Sequence, residues 1–303
     1  MRVSRCLHDR IGAGCRGAVV AVQRRGCHVN IDDGPLLILS RPDVPLAPNA
    51  LTVDTGPHAS LEGNGFRVGQ VIALAASAPG DHDVDWLVTF RAAATWEPRP
   101  QVHPLSSRQL VDRLLAARAT VVADGAKVSL LPLLWMSGAD TGGLESALVH
   151  RATAPARLLG DAAIRGDKAA LSRAARGLAG LGPGLTPSGD DLLAGFVAAW
   201  TLVGEALGRD RAGCERVTAA VVAGGERGVS PLGRAWLEHA CRGELLEPMT
   251  AFVASLLSPT PWDLVATARG ALAVGSSSGT DWMVGFLLAA ESILDATTAG
   301  PPW

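Results

Sequence analysis

The sequence predicts an α+β protein, with a small N-terminal antiparallel β domain over residues 1–100 and a larger, mainly helical domain over 101–303. Three observations predict it. Short apolar runs separated by turn signals fill the first hundred residues, and the spacing of apolar residues becomes helical after Pro98, Pro100 and Pro104. Within the second part, two similar glycine-rich loops each run straight into an apolar helix.

In the first part, Val19–Val22, Cys27–Ile31 and Leu36–Leu39 are spaced by Arg24-Arg25-Gly26 and Asp32-Asp33-Gly34-Pro35, the pattern of an antiparallel meander. Leu51–Val53, Val68–Leu74 and Trp86–Phe90 continue it towards a barrel or a sandwich. Cys27 and His28 are neighbours on a strand and point to opposite faces, so they do not form a nucleophile and base. Asp81-His82-Asp83-Val84-Asp85 places acidic groups at alternating positions, a metal-ligand pattern, but reads first as a solvated loop entering a strand.

The helical part starts near Ser106 or Ser107, where Leu110, Leu114 and Leu115 follow the i, i+4 rule. Further helices are expected over 144–152, 156–165, 168–180, 191–206, 211–223, 231–242, 245–257, 262–273 and 281–295, with Asp167 capping its own helix. Gly195 and Gly285 fall four residues into theirs. An interior glycine costs about 1 kcal/mol against alanine, so both point to close helix packing.

Composition narrows the function classes. A chain of 303 residues buries a sizeable core without disulfide help. Its net charge of -2 and 18% charged residues provide no basic stripe for nucleic acid. Five widely spaced cysteines without a Cys-x-x-Cys pair point to a reducing compartment and away from a zinc ribbon. No signal-peptide core follows Met1 and no apolar run reaches 18 residues, so a soluble, cytoplasmic protein is expected, with no membrane span. Lysine occurs only at Lys127 and Lys168, which disfavours lysine chemistry.

The chemistry concentrates in Gly182-Pro183-Gly184-Leu185-Thr186-Pro187-Ser188-Gly189-Asp190-Asp191. Glycine opens backbone geometries closed to other residues and proline fixes them, so this is a loop of defined shape. Ser188 fits an N-cap with Asp191 at the third helical position. Such a loop at a helix N-terminus offers N–H groups to an anion. Asp190 and Asp191 complicate that offer, since each close like-charge pair repels by about 4 kcal/mol at an effective dielectric near 20. Either Mg²⁺ on Asp190 and Asp191 intervenes, or an arginine does, or one aspartate turns away. The same device returns at Ser278-Gly279-Thr280-Asp281, where Ser278, Gly279, Asp281, Gly285 and Phe286 align with Ser188, Gly189, Asp191, Gly195 and Phe196. Paired units of this kind suggest loops that face each other across a shared site. Neither loop fits Gly-x-x-x-x-Gly-Lys-Ser/Thr or Gly-x-Gly-x-x-Gly, which disfavours those two nucleotide sites.

These two loops, with Asp32–Leu36, Pro48–Val53 and Ser230–Glu247, resemble the AllH-type subunit family of oxamate carbamoyltransferase over most of the chain. The resemblance implies carbamoyl transfer between carbamoyl phosphate and oxamate, giving oxalurate and phosphate in allantoin and purine breakdown, by one subunit of a multi-subunit complex. It implies substrate binding by Gly182, Gly184, Thr186, Ser188 and Gly189, with Ser277, Ser278 and Gly279 opposite. Asp190, Asp191 and Asp281 would be the catalytic groups, with Mg²⁺ on Asp190 and Asp191 as the one cofactor considered. Where the family's second loop has histidine after its first glycine, this chain has Ser276, so no imidazole stands there. Two other classes remain open from sequence: a non-catalytic assembly subunit, and a stand-alone Mg²⁺-dependent hydrolase or phosphotransferase acting on a small carboxylate.

Overall fold

The computed structural model describes residues 1–11, 14–31, 34, 36–53, 61, 65–75, 84–89, 93–135 and 144–298. The chain divides into two compact units, Met1–Pro98 with Leu245–Glu247, and Arg99–Glu244 with Pro248–Trp303.

The first unit carries β1 (Arg2–Ser4), α1 (Arg5–Ile11), β2 (Cys15–Val22), β3 (Gly26–Ile31), β4 (Leu36–Ser40), β5 (Ala50–Thr52), β6 (Val71–Ala75), β7 (Trp86–Thr89) and β8 (Ala94–Trp96). They form one sheet in the order β7-β6-β2-β3-β4-β5-β1-β8. The expected antiparallel domain is therefore corrected to a mixed sheet. The meander β2-β3-β4 is antiparallel, but β4/β5, β6/β7 and β1/β8 are parallel pairs. Tight turns force antiparallel neighbours, whereas the longer segment between β4 and β5 lets the chain return to the same end before pairing. Alternation along β3 buries Cys27, Val29 and Ile31 against Val19, Leu37, Leu39, Leu51 and Ile72. Burial pushes the Cys27 thiol up to about 11 and holds the His28 imidazole below its usual value, which leaves neither poised for chemistry. Of the Asp81–Asp85 run, 81–83 lie outside the described residues, and the Asp85 carboxylate accepts the Val71 N–H at 2.7 Å.

The second unit holds α2 (Ser107–Asp124), a 3₁₀ turn (Leu131–Leu134), α3 (Leu144–Arg165), α4 (Lys168–Leu178), α5 (Ser188–Ala206), α6 (Arg211–Gly225), α7 (Pro231–Cys241), α8 (Glu247–Leu256), α9 (Leu264–Leu272) and α10 (Ser278–Thr298). Ser106 and Gln109 close a reciprocal cap on α2, and Asp167 caps α4 through the Ala170 N–H at 3.0 Å. Two expected helices merge into α3, which runs through Pro155. Gly177 of α4 leaves room for the Pro155 ring, since a Cβ there would stand 3.0 Å from it.

At the centre, α5 and α10 are apolar on nearly every face, as a helix surrounded by others must be. They lock together through reciprocal glycines. A Cβ at Gly195 would overlap the Trp282 carbonyl, and one at Gly285 would overlap the Leu192 carbonyl. Trp282 stacks on Phe286 at 5.1 Å, and Phe286 meets Phe252 edge-on at 5.7 Å. Among the described residues, no helix is long and apolar enough to cross a membrane.

Candidate active site

The close approach of α5 and α10 brings their first turns side by side, and the loops before them set what those turns present. Gly180, Gly182 and Gly184 have φ of 72°, 113° and 103°, and Gly275 has 64°, all in the left-handed region that glycine tolerates best. Gly189 and Gly279 serve proximity instead. A Cβ on them would overlap the carbonyls of Leu178 and Ala271, at or near the ends of α4 and α9. Their N–H groups are committed within the chain, to Leu181 and Val274 oxygens at 2.8 and 2.9 Å. Those of Asp190 and Asp191 bond the Pro187 carbonyl, and that of Asp281 the Ser277 carbonyl.

The expected cap is corrected here. Pro187, not Ser188, is the N-cap of α5, and no side chain caps that end. Proline's fixed φ is compatible with this position, and Ser188 becomes the first helical residue with its hydroxyl turned towards Asp281.

The three aspartates meet different surroundings. Asp190 accepts the Gly180 N–H at 2.7 Å on one oxygen and the Ser230 N–H at 2.8 Å on the other, tying the loop to the start of α7. Thr280, its counterpart after the second loop, accepts the Ala126 N–H at 2.9 Å. Asp191 is 1% exposed, and neither of its oxygens reaches a partner in hydrogen-bond geometry. Burial, with the nearby charges of Asp281 and Asp190, holds its carboxyl well above the usual range, although the Ser278 and Thr186 hydroxyls favour the ionised form. Asp281 is fully buried and accepts the Leu130 N–H at 2.6 Å on one oxygen, while the other has no partner. Burial raises it to about 6 against the opposing pull of Leu130, Ser188 and Ser277.

The two loops meet directly, with the Thr186 and Ser278 hydroxyls 3.1 Å apart. The arrangement is crossed: Asp191, after the first loop, faces Ser278 of the second loop, and Asp281, after the second loop, faces Ser188 of the first. Asp191, Asp281, Thr186, Ser188, Ser277 and Ser278 thus converge, whereas Asp190 is directed to Gly180 and Ser230. Gly184 and Leu185 lie exposed at the loop tip, with Gly182 half-buried beside them. Consecutive helical residues project about 100° apart, so Asp190 and Asp191 do not converge on one ion, and Asp190 already holds two N–H groups. The donor set therefore does not fit Mg²⁺ shared by that pair. Chemically, the site pairs Asp191, whose burial favours the neutral, donating carboxyl, with Asp281, which ionises near pH 6 and accepts. The positioning residues Leu130 and Ser230 lie far away in sequence. Ser230 carries a readable signal as the cap before Pro231, and Leu130 carries none.

Residues 178–290 match the model of a family described as oxamate carbamoyltransferase subunit AllH. No curated protein and no solved structure matches the chain. The matched span contains both glycine-rich loops, Asp191, Asp281 and the interlocked glycines of α5 and α10, so over that span the chain is similar to the AllH-type family.

Proposed function

We propose that the chain is a subunit of a carbamoyltransferase complex in allantoin and purine breakdown, and that the facing starts of α5 and α10 form its carbamoyl-transfer site. The substrates are carbamoyl phosphate and oxamate. The observation that carries the reading is the crossed pair of buried carboxyls, Asp191 beside Thr186 and Ser278, and Asp281 beside Ser188 and Ser277.

In this reading the oxamate amide nitrogen attacks the carbamoyl carbon, a C–N bond forms, and the C–O bond to phosphate breaks. Asp281 accepts the proton that the amide nitrogen loses, a task suited to a base that ionises near pH 6. Asp191, whose burial favours the neutral carboxyl, donates to the carbamoyl oxygen as negative charge develops there. The hydroxyls of Thr186, Ser188, Ser277 and Ser278 hold phosphate oxygens, and the Gly182–Gly184 turn leaves room for them. Asp190 acts as a positioning residue for the loop.

The test is oxalurate formation from carbamoyl phosphate and oxamate by tagged protein recovered from its host together with its partner subunits. Wild type should form oxalurate, and Asp191→Asn should lose at least 100-fold with the same partners bound. No oxalurate from an intact complex would reject the substrate pair.

A further inference from the structure

The first glycine-rich loop joins α4 to α5, the second joins α9 to α10, and each pair packs on a third helix. α6 runs antiparallel to α5: a Cβ at Gly204 would stand 2.7 Å from Cys214 Sγ at one end, and a Cβ at Gly225 3.7 Å from the Leu193 side chain at the other. α2 runs antiparallel to α10 in the same way, with Arg118 on Glu291 at one end and the Ala126 N–H on Thr280 at the other. α6 meets α4 through the Ser172 hydroxyl on the Ala220 carbonyl at 2.9 Å, and α2 meets α9 through Arg269 on Asp124 at 2.7 Å. Both outer helices therefore end where α5 and α10 begin, and the chain that follows each one emerges beside the facing loops.

Those two connections grip the site. In residues 226–230, the Gly228 carbonyl lies 2.6 Å from where a Cβ at Gly180 would stand, and the Ser230 N–H bonds Asp190 at 2.8 Å. In residues 125–130, the Ala126 N–H bonds Thr280 at 2.9 Å and the Leu130 N–H bonds Asp281 at 2.6 Å. Each connection carries one exposed cation, Arg227 in the first and Lys127 in the second. The acidic residues nearest to them in sequence, Glu226 and Asp124, are paired with Arg234 and Arg269. Among the described residues, neither Arg227 nor Lys127 has an ion pair. The groups that converge between the two connections are hydroxyls and the carboxyls of Asp191 and Asp281. On the carbamoyl-transfer reading, on which this inference rests, a phosphate dianion and a carboxylate enter beside Asp281. Like charges in close contact repel unless a cation stands among them.

We infer that Lys127 and Arg227 are the substrate anchors of the site, each reaching one anionic group over the facing starts of α5 and α10. Arg227 takes the phosphate of carbamoyl phosphate. Its connection packs on Gly180, at the root of the Gly182–Gly184 turn, and a guanidinium matches phosphate oxygens in pairs. Lys127 takes the oxamate carboxylate, whose carbon is two bonds from the nitrogen that gives its proton to Asp281, the residue that Leu130 holds. It serves as a flexible point charge and not as a nucleophile.

The test uses the complex recovered with its partner subunits and compares KM for each substrate. Arg227→Gln should raise KM for carbamoyl phosphate about tenfold, the worth of one charge-assisted contact, and keep that for oxamate within about twofold. Lys127→Gln should do the reverse. Arg227→Lys and Lys127→Arg should restore most of the affinity. Lys168→Gln removes the same charge at the far end of α4, roughly 15 Å along the helix from Leu178, and should change neither KM. All three residues are exposed, so the variants keep their fold. Unchanged KM in either Gln variant, an equal rise for both substrates, or the same rise in Lys168→Gln would overturn the inference. A wild-type complex that forms no oxalurate rejects the carbamoyl-transfer reading alone, and the anchors are then judged by calorimetric titration of the same complexes with inorganic phosphate and oxamate. Phosphate binding weakened in Arg227→Gln and oxamate binding weakened in Lys127→Gln would sustain them. No saturable binding, or wild-type affinity in both variants, would overturn them.

Discussion

Asp190 and Asp191 are chain neighbours at the start of α5, yet what surrounds each one dictates opposite outcomes for the same substitution. Asp190→Asn replaces one acceptor with an amide N–H that faces a backbone N–H, and should cost about 2–4 kcal/mol of stability in urea unfolding. Asp191→Asn replaces a carboxyl whose burial favours its neutral form with a neutral amide of similar shape, so folding should change by less than about 1 kcal/mol while transfer activity falls. Asp281 gives a pH signature. Its folded value of about 6 lies above the ordinary 3.8, so the folded state binds the proton more tightly. That contribution is complete below about pH 4 and is lost as pH rises through 6, a change of about 3 kcal/mol. Relative to wild type, Asp281→Asn should therefore gain stability by about that amount between pH 4 and 7, measured as the difference between two unfolding series. Asp281 was legible because Ser278-Gly279-x-Asp281 repeats Ser188-Gly189-x-Asp191. The separate duty of Asp190 was not, because its partner Ser230 lies forty residues away and only the fold brings it near.

Among the elements, α5 and α10 were the most readable, since each follows a glycine-rich loop and carries a glycine at the same depth. The structure supplies the reason for those glycines in the overlap each Cβ would have with the facing helix carbonyl. Gly195→Ala and Gly285→Ala should each cost at least ~2 kcal/mol, because the obstruction is backbone and the helices must part. Gly160→Ala on α3 is the contrast. A Cβ there meets nothing within 4 Å, and alanine should stabilise by roughly 0.5–1 kcal/mol. Thermal or urea unfolding of the three variants separates packing from helix propensity. The elements that escaped sequence reading have local causes. The strands β1 and β8 have three residues each, too few for alternation to show, and α3 hides its continuity because Pro155 reads as a helix break.

At the scale of the molecule, the division into a β-rich and a helical part was visible in composition, but the sheet's parallel pairs were not. Pairing of β1 with β8 joins residues more than ninety positions apart, and no local pattern announces it. The same limit applied to the site. The repeat suggested that two loops face each other, and the 3.1 Å approach of Thr186 and Ser278 is a consequence of helix packing that no single segment encodes. The family match spans 178–290, so the carbamoyl-transfer reading rests on the helical unit. It also requires other subunits, and affinity purification from the host should recover them in fixed proportion with wild type, Asp191→Asn and Asp281→Asn alike, since both carboxyls are buried.

The most direct measurement is the rate of oxalurate formation by the wild-type complex and by the Asp281→Asn complex, each followed across pH 5 to 8. Wild-type activity should rise through about pH 6 as Asp281 ionises, and the variant should lose at least 100-fold with its partners and fold intact. An Asp281→Asn complex with wild-type rate and the same pH profile would contradict a carbamoyl-transfer site at the facing starts of α5 and α10.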